Sequence, residues 1–170
     1  PMVVTNGSHT ITLRIDGKVF TYGDNTYGQL GINSKLSMDE PVEVSFPEGT
    51  IITQVAAGEN HSVALDSEGN VWTWGNNEFY QVGNGSEVQL TPYKVPRIPK
   101  AIRIAAGNNN TMIITETNEL YGWGQNSYGE LGIADYASRV MPTKVYEMMD
   151  IIDIAGGKDH FIALNRAGAV

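Results

Sequence analysis

Aligned against itself, the chain repeats with a period of about fifty residues. Val55-Ala-Ala-Gly58, Ile104-Ala-Ala-Gly107 and Ile154-Ala-Gly-Gly157 close on glycines 49 and 50 residues apart, and a degenerate copy, Val4-Thr-Asn-Gly7, lies 51 residues before Gly58. A second marker keeps the same period: Tyr22-Gly23, Trp74-Gly75 and Trp123-Gly124 follow these glycines by 15, 16 and 16 residues to the aromatic. Two independent markers in one register define a repeated unit that can bury its apolar face only by stacking on its neighbours.

Each unit reads as four short strands. After the glycine comes a branched apolar run such as His61-Ser-Val-Ala-Leu65, suited to a buried strand. A tight turn follows at Asp16-Gly17, Asp66–Gly69, Glu116–Asn118 and Asn165–Gly168. The second strand is Val19–Tyr22, Val71–Trp74 or Leu120–Trp123, and its alternation puts Phe20 with Tyr22, Trp72 with Trp74, and Tyr121 with Trp123 on one side. A Gly- and Asn-rich bend (Gly23–Gly31, Gly124–Gly132) then sets glycines at fixed offsets, where positive φ or close backbone approach is expected. Pro-led strands follow at Pro41, Pro92 and Pro142, a residue allowed at a strand's first position or on an edge strand. A fourth strand, Ile51–Val55 or Ile102–Ile104, leads into the next Ala-Ala-Gly. Four short antiparallel strands per unit make a propeller blade. The expected fold is therefore all-β: one domain, 1–170, forming an incomplete β-propeller of three full blades (about 1–52, 53–101 and 102–151) plus the first strands of a fourth at 152–170.

The strand directions sort the loops. In each blade the G-x-x-H bend and the W-G-x-N-x-x-G bend fall on one face, and the Asp-Gly turns fall on the other. The first bends supply Ser8, Glu59, Asn60, Asn108, Asn109, Lys158 and Asp159; the second supply Asp24, Tyr27, Glu78, Phe79, Tyr80 and Tyr128. Aromatic side chains among polar ones are the composition of protein-binding hot spots, so this face is the expected partner-binding surface. Tyr27, Phe79 and Tyr128 share one repeat position and could equally pack across each bend. Tyr80 stands where the other repeats have Gly28 and Gly129.

Other chemistries find little support. A formal charge of −8 with only eleven scattered basic residues argues against DNA or RNA, and an acidic surface would instead steer a basic protein partner. No apolar stretch approaches the 18 residues of a membrane span, so no membrane partner is expected. Cysteine is absent, which suits both the cytoplasm and bacterial export, and no targeting signal is visible. His9, His61 and His160 occupy one repeat position on different blades, so they are expected to tie down bends by hydrogen bonds rather than to hold a metal. Ser62 and His61 are neighbours on a strand and point to opposite sides, which argues against a nucleophile–base pair. No glycine-rich segment fits a phosphate loop. Neither catalysis nor a cofactor is expected.

The motifs Ala56-Ala-Gly-Glu-Asn-His-Ser-Val-Ala-Leu65, Gly69-Asn-Val-Trp-Thr-Trp-Gly-Asn-Asn77 and Gly28-Gln-Leu-Gly31, with the Pro-led strands, resemble the repeats of the regulator of chromosome condensation 1 family. The resemblance covers essentially the whole chain. It implies a seven-bladed propeller of roughly 350 residues at about fifty per blade, and hence either a fragment of a longer protein or copies that combine through exposed blade faces. The regular W-x-W-G-x-N repeats and acidic balance are more similar to bacterial members than to nuclear ones. The resemblance implies a non-enzymatic interaction module that grips a protein through the bend-rich face. Two alternatives also come from it: guanine-nucleotide exchange on a small GTPase, and inhibition of a secreted enzyme. The light-sensing branch carries Trp in its face bends; here those bends read Gly58-Glu-Asn-His61 and Gly157-Lys-Asp-His160, so Trp72, Trp74 and Trp123 are expected in the blade core.

Overall fold

The computed structural model describes residues 1–146, 148 and 150–170. Strands β1 (Met2–Asn6), β2 (His9–Leu13), β3 (Val19–Gly23) and β4 (Met38–Glu43) form one antiparallel sheet in chain order. The pattern recurs in β5 (Ile52–Ala57), β6 (His61–Asp66), β7 (Val71–Asn76) and β8 (Val88–Lys94), and again in β9 (Ala101–Ala106), β10 (Asn110–Thr115), β11 (Leu120–Gly124) and β12 (Arg139–Val145). A two-stranded sheet, β13 (Ile151–Gly156) and β14 (Phe161–Asn165), ends the series. This is the all-β incomplete propeller expected: three four-stranded blades and the opening strands of a fourth.

Two local features refine the strand reading. The strand before each Ala-Ala-Gly pairs with the strand after it, Val55 opposite Ala64 and Ala57 opposite Ser62. It therefore opens a sheet instead of closing the one before. The prolines also sit inside their strands. Between Thr21–Val42 and Gly23–Met38, three residues ending in Pro41 face Tyr22 alone, and the same slip places Pro92 opposite Trp74 and Pro142 opposite Trp123. The missing N–H thus falls in a bulge on a strand paired on one side only.

The core lies between blades. Ile11, Leu13, Val19 and Val44 of blade one meet Val55, Ala64, Trp72 and Trp74 of blade two. Val63, Leu65, Val71 and Val95 of blade two then meet Ile104, Ala106, Ile113 and Trp123 of blade three. Every residue of β6 and β7 is buried because a neighbouring sheet covers each side. Phe46, just after β4, stands edge-on to both Trp72 and Trp74, with centroids 5.6 and 5.9 Å away. The three tryptophans are blade core, as expected.

Candidate functional site

Pairing of His9 with Gly23, His61 with Gly75 and Asn110 with Gly124 brings the two bends of each blade to one end. Backbone bonds join them: Asp24 N–H to Ser8 O, Asn76 N–H to Asn60 O (both 2.8 Å), and Gln125 N–H to Asn109 O (2.9 Å). The Asp-Gly turns lie at the opposite end, where Ile52 N–H donates to Gly17 O and Ser67 N–H to Ile51 O.

One buried asparagine holds each long bend. Asn77 Nδ2 donates to Asn84 O at 2.9 Å and to Ser86 O, while its Oδ1 accepts the Val82 N–H at 2.8 Å. Asn25 and Asn126 do the same with Leu30 and Leu131. The second residue of the G-Q-L-G segment folds back as well: the side chains of Gln29, Gln81 and Glu130 accept the N–H of Tyr27, Phe79 and Tyr128 at 2.9, 3.0 and 2.8 Å. The bends are thus rigid platforms for the residues they display. Asn77→Ala strands the buried Val82 N–H and is expected to cost about 2 kcal/mol, read as a lower urea midpoint.

The histidines do something the repeat period did not suggest. They bond across the blade interface, not to their own bends. His9 Nε2 lies 3.0 Å from Ser62 Oγ, and Ser62 Oγ donates at 2.7 Å to the Gln29 carbonyl. That carbonyl also accepts Trp74 Nε1–H at 2.9 Å. The next interface repeats the set with His61, Thr111, the Gln81 carbonyl and Trp123, at 3.1, 2.8 and 2.9 Å. A carbonyl can only accept, so the hydroxyl proton goes to it and His Nε2 carries the hydrogen that the hydroxyl accepts. Ser62 is therefore a fully buried relay, not a nucleophile, although a histidine does reach it. Burial pushes the His9 imidazole down to about 4 and that of His61 down to about 3, so both are neutral links. His160, at the same repeat position in the last bend, is exposed.

The candidate binding residues separate into groups. Glu59 and Asn108 pair with each other across blades two and three, Asn108 Nδ2 donating to Glu59 Oε2 at 3.2 Å. Asn109 is engaged with Gln125 at 3.0 Å, and the Asn60 backbone carbonyl ties its bend to Asn76. Lys158 and Asp159 are exposed on the fourth unit, and Tyr128 is 72% exposed beside it. Phe79 is half-buried. Tyr27, Glu78 and Tyr80 converge with Lys35 and Glu87 on a groove of about 730 Å3 between the long bends of blades one and two. Tyr80 holds a left-handed φ of 69°, close to the 76° and 80° of its counterparts Gly28 and Gly129. For a bulky residue that backbone is strained, and such strain concentrates at functional positions. Among the described residues no group of three His, Asp or Glu could hold a metal.

Known proteins share this architecture. Prp20p from Saccharomyces cerevisiae superposes with a TM-score of 0.89 over 95% of this chain and 42% of that one, at 22% identity, which is a likeness of fold. The human protein named probable E3 ubiquitin-protein ligase HERC3 is 35% identical over 161 residues, covering 91% of this chain and 15% of that protein. The ultraviolet-B receptor UVR8 of Arabidopsis thaliana is 35% identical over 94 residues, 55% of this chain and 21% of the receptor. The chain thus spans a small part of these curated relatives and under half of the solved propeller. The family model described as regulator of chromosome condensation (RCC1) repeat matches residues 16–65, 68–114 and 117–164. With three consecutive matches over most of its length, each running from the last two strands of one blade into the first two of the next, the chain belongs to the RCC1 repeat family.

Proposed function

We propose that this RCC1-repeat propeller segment is a non-enzymatic recognition module that holds a protein partner on its bend-rich face, centred on Tyr27 and Tyr80. The observation that carries the reading is Tyr80: a 39% exposed aromatic ring on a left-handed backbone, where the sister repeats place glycine. Glycine there would remove strain on the order of 1–2 kcal/mol, so the tyrosine is retained against stability. The acidic Glu78 and Glu87 beside it suit a partner with basic side chains. Similarity to proteins as different as a human E3 ligase and a plant ultraviolet-B receptor fits a recognition part better than one shared chemistry.

The test compares three forms of the chain as bait, with captured proteins quantified by mass spectrometry. Tyr80→Gly combined with Tyr27→Ala should lose specific partners that Glu48→Ala, on the opposite face, retains. Tyr80→Gly alone should melt no lower than the parent chain. Equal capture by both baits would remove this face as the binding surface.

A further inference from the structure

The tripeptide Asn-Gly-Ser occurs twice, at Asn6–Ser8 and at Asn84–Ser86, in two different settings. Asn6-Gly7 closes the tight hairpin between β1 and β2, with Asn6 paired to His9. The Gly7 N–H is engaged there, donating to Asn6 Oδ1 at 2.9 Å, and a Cβ on Gly7 would clash with the Glu59 carbonyl of blade two. Asn84-Gly85 lies instead in the exposed arm of blade two's long bend, along the Tyr27–Tyr80 groove. Nothing stands within 4 Å of a Cβ on Gly85, and the Gly85 N–H donates to no acceptor among the described residues. Asn84 Oδ1 accepts the Ser86 N–H at 3.0 Å, an Asx turn that folds the side-chain amide back over the Gly85 nitrogen between them. The same oxygen accepts Asn77 Nδ2 at 2.8 Å.

We propose that Asn84 is a self-modifying residue: the Gly85 nitrogen attacks its side-chain amide, and the residue becomes aspartate or isoaspartate at the rim of the groove. The Gly85 N–H gives its proton to a solvent base as the nitrogen bonds to Asn84 Cγ. Negative charge collects on Oδ1, where Asn77 Nδ2 and the Ser86 N–H already donate, the arrangement that stabilises an oxyanion. Nδ2 then takes up a proton, the Cγ–Nδ2 bond breaks, and ammonia leaves a succinimide ring. Water opens that ring at either carbonyl, so water is consumed, ammonia is released and nothing is oxidised or reduced. The attack needs close approach at the following residue, which glycine leaves unobstructed. Blade three shows that the fold accepts the aspartate. There Asp135 occupies the matching place, its carbonyl accepting Asn126 Nδ2 at 2.9 Å and its Oδ1 accepting the Ala137 N–H at 3.0 Å. Blade one has Ser34 at this place and Tyr136 follows Asp135, so blade two alone carries Asn-Gly in this arm. Conversion sets a new negative charge on the groove that holds Glu78 and Glu87. The chemistry needs no bound partner, so it stands or falls apart from the recognition reading.

The full chain is held folded at mildly alkaline pH, sampled over weeks, and mapped by peptide mass spectrometry with electron-transfer fragmentation, which separates aspartate from isoaspartate. Asn6 is the internal control, because the Gly-Ser that follows it is identical. In the folded chain Asn84 should convert at least roughly tenfold faster than Asn6, with isoaspartate among the products, and the two rates should converge in urea. Gly85→Ala should slow conversion of Asn84 by a similar factor at an unchanged melting temperature, since the added Cβ meets nothing. Equal or slower conversion at Asn84 than at Asn6, rates that stay apart in urea, a product without isoaspartate, or conversion undiminished by Gly85→Ala would each overturn the proposal.

Discussion

Trp74→Ala is expected to lower the unfolding free energy by about 3–5 kcal/mol, the range for truncating a large buried aromatic. Trp74 is fully buried, edge-on to Phe46 of blade one, and its Nε1–H caps the Gln29 carbonyl of that blade. Truncation opens a cavity at the contact that couples two repeats, and in a stack of repeats the neighbour interface carries much of the stability. Trp74→Phe separates the terms. It keeps most of the ring, and the Gln29 carbonyl retains Ser62 Oγ, so only the indole bond goes, at about 1–2 kcal/mol. Trp72 makes a useful contrast because its Nε1 donates to Asp66 within its own blade. Urea unfolding should therefore show a smaller m-value for Trp74→Ala, where blade one melts separately, and an unchanged m-value for Trp74→Phe. A cost below 2 kcal/mol for Trp74→Ala would mean the interface is not held there.

Why the period predicted so much follows from what a period contains. It states which residues are equivalent, and equivalence fixed the strands, the two bends on one face and the tryptophans in the core. It has no origin, so it could not say that the strand before Ala-Ala-Gly opens a sheet. Nor does it say which blade a side chain faces. His9 and Ser62 lie 53 residues apart, just over one period, and their bond exists only because blade two stacks on blade one. Adjacency on a strand correctly set Ser62 apart from His61 and gave no hint of His9. The bulge behind Pro41, Pro92 and Pro142 is likewise a product of pairing, since proline alone fits a strand start equally well. Tyr80 was conspicuous because it broke the repeat, and it holds the left-handed backbone expected of the glycines it replaces.

Lowering the pH from 6.5 to 4 is expected to destabilise the chain through the two interface histidines, by on the order of 3 kcal/mol each. Burial lowers both imidazoles, and the carboxylate of Asp24 only partly offsets this at His9, while His9 itself further lowers His61. Protonating His9 would also bury a charge whose Nδ1 has no acceptor among the described residues. The unfolded chain takes up a proton near 6.5, whereas the folded chain resists until about 4 at His9 and about 3 at His61. Stability is therefore intact above 6.5, falls through that window, and levels off once the folded sites protonate. At Asp24 and Asp66 burial acts to raise the carboxyls, but hydrogen bonds from Thr26 and Gln29, and from Trp72 and Asn70, outweigh it. Both sit below the usual carboxylate range and lose their contribution only at more acid pH. Repeat three supplies the control, because Asn110 occupies the histidine position and its Nδ2 donates to the Gln125 carbonyl at 3.2 Å. Unfolding free energies from urea titrations should slope by about 1.4 kcal/mol per pH unit for each histidine between pH 6.5 and 4. His61→Asn should remove one such increment, and His9→Asn with His61→Asn should flatten the profile. A slope that survives the double substitution would place the acid sensitivity outside the blade interfaces.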